Sequence, residues 1–255
     1  MMMKALITGA SSGIGRELAR LLAADCEELV LCGRDRERLE TLRKELAGRP
    51  GLRVTAVSAD LNRVGNCLRL HRDHPDVDLL VNNAGFGDFG PFCDTDLEKE
   101  LRMIDTNIRA MHILMKLYLR DMMDRDEGQI LNVASIAGFF PGPLMATYYA
   151  TKAYVVRLSE AVRRELRAKG SGVRISILCP GPVATNFERT ANIAFQFNGT
   201  DARRVARYAL DHLDRFYIVP GAPFQLARHL GRLIPAGAAA SAVYLLQSRR
   251  RSGGA

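Results

Sequence analysis

A tyrosine and a lysine in the second half of the chain have the spacing of a proton-transfer pair. Tyr148 and Lys152 stand four residues apart at the start of a predicted helix, so their side chains share one helix face. A free tyrosine has a pKa of about 10, which is too high for efficient proton transfer at neutral pH. A lysine ammonium about 4 Å away would stabilise the phenolate by up to ~4 kcal/mol at an effective dielectric of about 20, before burial opposes that gain. The pair therefore predicts general acid–base chemistry on an oxygen atom.

Two more polar residues stand where the same chemistry could use them. Ser135 ends a predicted strand, thirteen positions before Tyr148. Asn107 lies within a predicted helix, where a short polar side chain is unfavourable unless it has a role.

A glycine-rich loop near the N-terminus predicts a dinucleotide site. Residues 8–15 read Thr-Gly-Ala-Ser-Ser-Gly-Ile-Gly, follow a predicted strand and open a helix. The glycines permit a tight turn and a close approach of backbone to a pyrophosphate, and the helix N-terminus supplies N–H groups for its charge. No Gly-Lys-Ser/Thr follows, which excludes a Walker A loop.

The end of the second predicted strand favours NADP(H) over NAD(H). Gly33 stands where NAD-selective sites usually place an acid for the ribose hydroxyl. Arg34, with Arg16 just past the glycine loop, could instead bind a 2′-phosphate through its planar guanidinium. Asp35 keeps NAD(H) open as the alternative, although it could equally cap the helix that follows.

The pattern of elements predicts an α/β fold, a Rossmann-like doubly wound parallel sheet of seven strands with helices on both faces. Short apolar runs rich in β-branched residues alternate with amphipathic ones. The predicted strands are 5–8, 29–32, 54–58, 79–82, 129–133, 173–178 and 216–219, and the longest helices are 97–123 and 148–168. One domain is expected over residues 1–247, followed by a basic, glycine-rich and disordered tail at 248–255.

Taken together, these motifs resemble the short-chain dehydrogenase/reductase family over about residues 4–186. The matching features are the TGxxxGxG loop, Asn82-Asn83-Ala84-Gly85 after the fourth strand, Ser135 with Tyr148-x-x-x-Lys152, and Pro180-Gly181 after the sixth strand. Asn107 falls where the family keeps its catalytic asparagine. The family spacing selects Tyr148 rather than the adjacent Tyr149.

The resemblance implies a role for each matching residue. Ser135 would hold the substrate oxygen, Tyr148 would exchange its proton, Lys152 would also bind the nicotinamide ribose, and Asn107 would position a water for proton relay. The implied cofactor contacts are Gly9, Ser11, Ser12, Gly13, Ile14, Gly15, Arg16, Arg34, Asp60, Leu61, Asn83, Ala84, Gly85, Tyr148, Lys152, Pro180, Gly181, Val183 and Thr185. Asn82 and Asn83 could also serve only to hold the strand ends together.

The resulting hypothesis is an NADP(H)-dependent oxidoreductase that transfers a hydride between nicotinamide and a carbonyl or secondary alcohol. The alternative is a dinucleotide-binding sensor without turnover, which would not need Ser135, Tyr148 and Lys152 at this spacing. A hydrophobic substrate such as a fatty acyl, steroid-like or aromatic ketone is expected from the apolar residues near the site. These are Phe86, Phe139, Phe140, Leu144, Met145 and Phe187, several of which could simply be core.

Composition limits the other classes of function. The net charge of +8 is interleaved along most helices and comes without a nucleic-acid motif, so no nucleic-acid partner is expected. The five scattered cysteines indicate reduced thiols in a cytoplasmic protein, and no metal-ligand pattern stands out around His71 and His74. The resemblance implies a homodimer or homotetramer.

The sequence leaves two alternative roles for each of two segments. The apolar stretch between Arg232 and Arg249 is shorter than the ~20 residues of a membrane span, so it could cover a substrate pocket or lie on a membrane surface. Residues 183–200, with Phe187, Phe195 and Phe197, could form an apolar lid or a packed surface loop.

Overall fold

The predicted alternation of strands and helices forms one parallel sheet in a computed structural model, which describes residues 3–185, 187, 191, 199–231 and 233–249. The sheet has seven strands in the order β3-β2-β1-β4-β5-β6-β9, all paired in parallel. The strands are β1 Met3–Thr8, β2 Cys26–Gly33, β3 Arg53–Ser58, β4 Leu79–Asn82, β5 Gln129–Val133, β6 Arg174–Leu178 and β9 Tyr217–Ile218. A separate short pair consists of β7 Val183–Ala184 and β8 Thr200–Asp201.

Helices cover both faces of the sheet, which confirms the predicted fold class. The helices are α1 Gly13–Leu22, α2 Arg36–Leu46, α3 Val64–Asp73, α4 Leu97–Ile104, α5 Met111–Arg125, α6 Ala146–Ala168, α7 Ala202–Leu210, α8 Ala222–Leu230 and α9 Ala236–Ser248. Among the described residues no helix is both long and apolar enough to cross a lipid bilayer.

Two apolar cores lie on opposite faces because successive strand side chains point to opposite sides. Leu6 of β1 belongs to the core that packs against α3, α5 and α6. Its neighbour Ile7 belongs to the core that packs against α1, α2 and α7. Burial on both faces explains why these strands read as continuous apolar runs in the sequence.

The strand order predicts where a ligand can bind at the edge of the sheet. The chain moves outward from β1 through β2 to β3, and then returns to pair β4 with the other edge of β1. This reversal is a topological switch point, and in open α/β sheets ligands bind beyond the carboxyl ends of the strands at such a point.

The helix predicted over 97–123 is wrong in one respect, because it is not one regular α-helix. A π-helical segment, Asp105–Ala110, lies between α4 and α5 and contains Asn107. Such π-bulges often occur at functional sites and re-aim a side chain within a helix. A period of 3.6 residues in the sequence cannot report the inserted residue, because the hydrogen bonds that stabilise the segment are tertiary.

The end of the chain also differs from its predicted boundary. Ser248 is the last residue of α9 and is not part of a disordered tail. Residues 250–255 of the expected tail lie outside the described residues, as do Phe195 and Phe197 of the expected lid.

Candidate active site

A cavity of about 1450 Å³ opens at the carboxyl ends of β1, β4 and β5. Its walls come from the glycine loop, from the loops after β2, β4, β5 and β6, and from helices α8 and α9. Ligand pockets usually hold ~300–1,000 Å³, so this cavity has room for a dinucleotide together with a second molecule.

Ser135, Tyr148 and Lys152 meet at the wall of this cavity. Ser135 caps the 3₁₀ turn Ile136–Phe139 after β5, and its Oγ accepts a hydrogen bond from the Ala137 N–H at 3.1 Å. Tyr148 lies in the first turn of α6, and a hydrogen bond links its side chain to that of Ser135. The structure therefore brings together three side chains that come from two different elements.

Lys152 lies one turn beyond Tyr148 and is buried. Its Nζ donates a hydrogen bond to the Val133 carbonyl oxygen at 2.9 Å, and it lies 5.9 Å from the centroid of the Tyr148 ring. The ammonium is thus anchored to the end of β5, next to the Tyr148 ring.

Burial decides the protonation of both groups. Burial raises the pKa of Tyr148 above its ordinary value, and the hydrogen bond with Ser135 opposes that rise only in part. Burial lowers the pKa of Lys152 to about 8. Burial therefore opposes the lowering of the Tyr148 pKa that was expected from Lys152, and burial is the largest influence on the hydroxyl in the folded chain.

Asn107 is buried beside the other three residues and is held by three hydrogen bonds. Its amide donates to the Phe86 carbonyl at 2.9 Å and to the Thr151 hydroxyl at 3.0 Å, and its Oδ1 accepts from the Phe86 N–H at 3.1 Å. A Cβ added at Gly85 would lie 2.9 Å from Asn107 Oδ1 and 3.4 Å from Lys152 Nζ. The π-helical segment thus places Asn107 across Gly85 from the lysine.

The glycine loop forms a cradle that leaves no room for larger side chains. Gly13 begins α1 with a φ of +55°, a conformation that glycine adopts without strain. A Cβ at Gly15 would lie 2.4 Å from Asn83 Nδ2 and 2.5 Å from the Gly9 carbonyl oxygen. The N-cap Ser12 makes no side-chain capping hydrogen bond and lines the cavity with Gly13. The N-terminus of α1 therefore opens to the cavity, as a pyrophosphate group requires.

Asn83 holds this cradle against the end of β4. Its amide donates to the carbonyl oxygens of Thr8 and Gly9, at 2.9 and 3.2 Å. The Thr8 hydroxyl in turn accepts from the backbone N–H groups of Asn83 and Ala84, both at 3.0 Å. Asn82 lies deeper and donates to Asn132 Oδ1 at 3.0 Å, so it joins β4 to β5.

Most of the expected cofactor residues line the cavity, and Gly15 and Arg16 do not. The lining residues are Gly9, Ser11, Ser12, Gly13, Ile14, Arg34, Asp60, Leu61, Asn83, Ala84, Gly85, Tyr148, Lys152, Pro180, Gly181, Val183 and Thr185. Gly15 lies directly beneath the loop. Arg16 is drawn instead into an ion pair with Glu45, with 3.6 Å between Nη2 and Oε2.

The rim after β2 contains an arginine that the sequence argument missed. Arg34, Asp35 and Arg38 all line the cavity. Asp35 is the N-cap of α2, accepts from the Arg38 N–H at 3.0 Å and pairs with the Arg38 guanidinium at 3.2 Å. Arg38 lies in the first turn of α2, three residues after the N-cap Asp35, and that short distance from the cap is the signal that could have identified it.

The far side of the cavity is apolar. Phe86, Phe140, Met145 and Phe187 line it as expected. Phe139 packs against the core instead, and Leu144 is not among the lining residues. Three further contributions were not expected by residue, namely Tyr149, Phe224 of α8 and the inner face of α9. The Phe187 ring lies 5.2 Å from that of Tyr148, measured between centroids, so the apolar wall extends to the Tyr148 ring.

Comparisons with known proteins agree with this geometry. The profile of the short chain dehydrogenase family matches residues 3–194. A very-long-chain 3-oxoacyl-CoA reductase from Anas platyrhynchos is 31% identical over 198 residues, which are 75% of this chain and 63% of that relative's length.

Two solved structures have the same fold over most of their length. A short-chain dehydrogenase from Sphingobium yanoikuyae in complex with NADPH is 30% identical with a TM-score of 0.81, covering 87% of this chain and 89% of that one. A short chain dehydrogenase/reductase from Burkholderia phymatum in complex with NAD is 26% identical with a TM-score of 0.80, covering 90% and 92%. Proteins with this fold thus include both an NADPH complex and an NAD complex.

Proposed function

This chain belongs to the short-chain dehydrogenase family, and we propose that it is an NADPH-dependent reductase of apolar ketones. The observation that carries the proposal is the meeting of Ser135, Tyr148 and Lys152 between the glycine cradle and the apolar wall of one cavity. The adjoining volume is large enough for both a dinucleotide and a ketone.

The side chains of this cluster supply the proton chemistry. The Ser135 hydroxyl holds the carbonyl oxygen of the substrate while negative charge develops on it. Tyr148 donates its proton to that oxygen, and its raised pKa keeps the hydroxyl protonated until then. Reduced nicotinamide, when bound, supplies the hydride to the carbonyl carbon. The protonated tyrosine therefore favours reduction, since oxidation of an alcohol would require the phenolate.

Lys152 and Asn107 act around that step. Lys152 stabilises the phenolate after proton transfer and is placed to hydrogen-bond the nicotinamide ribose. Asn107 holds the Phe86 backbone through two hydrogen bonds. It lies across Gly85 from Lys152, and from this position it orients the path by which Tyr148 regains a proton after the reaction.

The charged residues that follow β2 and line the cavity support binding of NADPH over NADH. Arg34 and Arg38 provide two guanidinium groups near the position of a 2′-phosphate, whereas the carboxylate of Asp35 is engaged in capping α2 and pairing with Arg38. A ribose hydroxyl would have to compete for that carboxylate. The planar, fork-shaped arrangement of N–H donors in guanidinium suits bidentate contact with phosphate.

The apolar wall supports a hydrophobic substrate. Phe140, Met145, Phe187 and Phe224 line the same cavity as Tyr148 and α9, where they offer contact area to an acyl chain or a ring system. The similarity to a 3-oxoacyl-CoA reductase points the same way.

The proposal is tested by assay of the purified chain with NADPH and a panel of ketones that differ in apolar size. We expect the loss of reduced-nicotinamide absorbance to depend on the ketone, and kcat/KM to rise with apolar area. Absence of turnover with every ketone and every secondary alcohol, together with tight NADPH binding, would instead favour the sensor.

The pH dependence of the reaction follows from the buried lysine. Because its pKa is lowered to about 8, we expect kcat/KM for reduction to be level through the neutral range and to fall above about pH 8. Tyr148, with its raised pKa, stays protonated over that window. The measurement is kcat/KM from pH 6 to about 10, and a profile that stays flat throughout would contradict the assigned role of Lys152.

The free energy of unfolding serves as the control, because the contribution of Lys152 to it should rise with pH where kcat/KM falls. The folded state holds Lys152 at a lower pKa than the unfolded chain, so the unfolded state binds more protons between about pH 8 and the ordinary lysine value of about 10.4. The contribution of Lys152 to the free energy of unfolding therefore rises across the window in which activity falls. Urea denaturation at each pH separates loss of activity from loss of fold.

We also propose a homodimer formed through α4, α5 and α6. Leu97, Leu101 and Ile104 of α4 and Tyr154 of α6 expose apolar surface. We expect Leu101→Arg to shift the chain toward monomer in sedimentation equilibrium, because a buried unpaired charge opposes association. A wild-type chain that sediments as a monomer at every concentration would exclude this assembly.

A further inference from the structure

The positive charge of this protein is concentrated at its C-terminal end. Residues 215–255 contain six arginines and no lysine, aspartate or glutamate. The whole chain has 36 basic and 28 acidic residues, so the first 214 residues hold 30 basic and 28 acidic ones, a net charge of only +2. Six of the eight net positive charges therefore belong to the last 41 residues.

The same segment exposes large apolar side chains. Helix α9 reads Ala-Gly-Ala-Ala-Ala-Ser-Ala-Val-Tyr-Leu-Leu-Gln-Ser and has no charged residue. Leu233, just before it, is 80% exposed, and Leu245 within it is 58% exposed. Tyr244 of α9 and Leu226 of α8 are exposed as well. A helix that is apolar on all sides is unusual on a protein surface that meets only water.

The inner side of α9 is fixed to the rest of the molecule, which defines its outer side. Gln247 is 2% exposed and donates a hydrogen bond to the Tyr149 hydroxyl at 2.9 Å. Ala239 is buried on the same side, and Val243 lies between these two at helical spacing and lines the cavity. Leu245, two residues from both Val243 and Gln247, therefore points away from the cavity.

We propose that α8 and α9 form a docking surface for an anionic lipid membrane. Leu233, Tyr244 and Leu245 would enter the boundary between headgroups and acyl chains, while the arginines on either side of α9 would bind the headgroups. An apolar helix with flanking arginines has the character of an interfacial helix. Thirteen residues are too few to cross a bilayer, which takes about 20.

The charge and the exposed leucines of this segment argue against a second copy of the chain and against a nucleic acid as the partner of this surface. A second copy of this chain would bring together two sets of the arginines that adjoin α9 in the sequence, Arg232 and 249–251, and residues 215–255 contain no acidic side chain to pair with them. A nucleic acid would satisfy the arginines but would leave the leucines in water, whereas an anionic membrane satisfies both. The docking does not depend on the reaction proposed for the cavity.

The test is co-sedimentation of the full chain with vesicles of phosphatidylcholine alone and of phosphatidylcholine mixed with phosphatidylserine. We expect binding to the mixed vesicles that weakens as salt is raised. The double variant Leu233→Ser/Leu245→Ser should bind at least about tenfold more weakly, from the apolar area removed. Arg250→Gln/Arg251→Gln should lose roughly fivefold for each charge.

The matched control is Leu68→Ser, at a leucine of α3 that is 49% exposed and outside the segment. It should bind mixed vesicles as the wild type does. All variants should keep the wild-type midpoint of urea denaturation, so that weaker binding is not a result of unfolding.

Three outcomes would overturn the proposal. The first is a wild-type chain that does not sediment with mixed vesicles even at low salt. The second is equal binding by wild type and Leu233→Ser/Leu245→Ser. The third is a lipid-free wild-type dimer that the same double variant dissociates, because the surface would then be a contact between subunits.

Discussion

Replacing Tyr148 by phenylalanine is expected to lower kcat for ketone reduction by ~10²–10⁴-fold, the usual contribution of a positioned proton donor. The change removes only the hydroxyl that exchanges a proton with the substrate. The ring itself should stay in place, because it packs against Phe187 with 5.2 Å between centroids. NADPH affinity should therefore remain close to that of the wild type, since the cradle at residues 9–15 is untouched.

The measurement pairs steady-state kinetics with an NADPH binding titration. The matched control is Tyr154→Phe, at an exposed tyrosine on the same helix whose hydroxyl lies 2.9 Å from His112 Nδ1. That variant should keep the wild-type kcat. Turnover that survived in Tyr148→Phe would show that another group donates the proton, and the assigned mechanism would be wrong.

Arg34→Ala is expected to weaken NADPH binding by about 10- to 150-fold and to leave NADH binding nearly unchanged. A hydrogen bond to a charged group contributes ~1.5–3 kcal/mol, and only NADPH has a 2′-phosphate to receive it. Arg34 lines the cavity and stacks over Phe86, with 5.9 Å between its guanidinium carbon and the ring centroid. This contact keeps the guanidinium at the rim.

Binding titrations of both dinucleotides by calorimetry check the expectation. Arg36→Ala is the control, because Arg36 is an exposed arginine two residues after Arg34, in the first turn of α2, and is not among the lining residues. Equal or tighter binding of NADH by the wild type would mean that Asp35 gives up its cap to hold a ribose. The protein would then be better sought as an alcohol-oxidising enzyme with a different set of substrates.

Features carried by local patterns could be predicted from the sequence. The parallel sheet was predictable because strands buried on both faces must be apolar throughout, and helices between them must be amphipathic. The positions of Tyr148, Lys152 and the glycine loop were predictable because spacing along one helix, or along one strand–turn–helix unit, sets their relative placement. The resemblance of these spaced motifs to a family supplied their roles.

Features that depend on distant parts of the chain were decided only by the tertiary structure. Within the π-helical segment, Asn107 bonds to Phe86 and Thr151, which are distant in sequence and which no local period can report. Arg16 turned from the cavity to Glu45 because α2 lies beside α1. The direction of the Tyr148 pKa depended on how much water the folded chain removes from the hydroxyl.

The C-terminal segment shows the same division most clearly. Its composition alone determined that residues 215–255 would be apolar, basic and free of acidic residues. Only the folded chain decided which side of α9 faces the cavity, because a helix that is apolar all round has no polar face to set its orientation. The bond from Gln247 to Tyr149 sets that orientation, and it joins residues 98 positions apart.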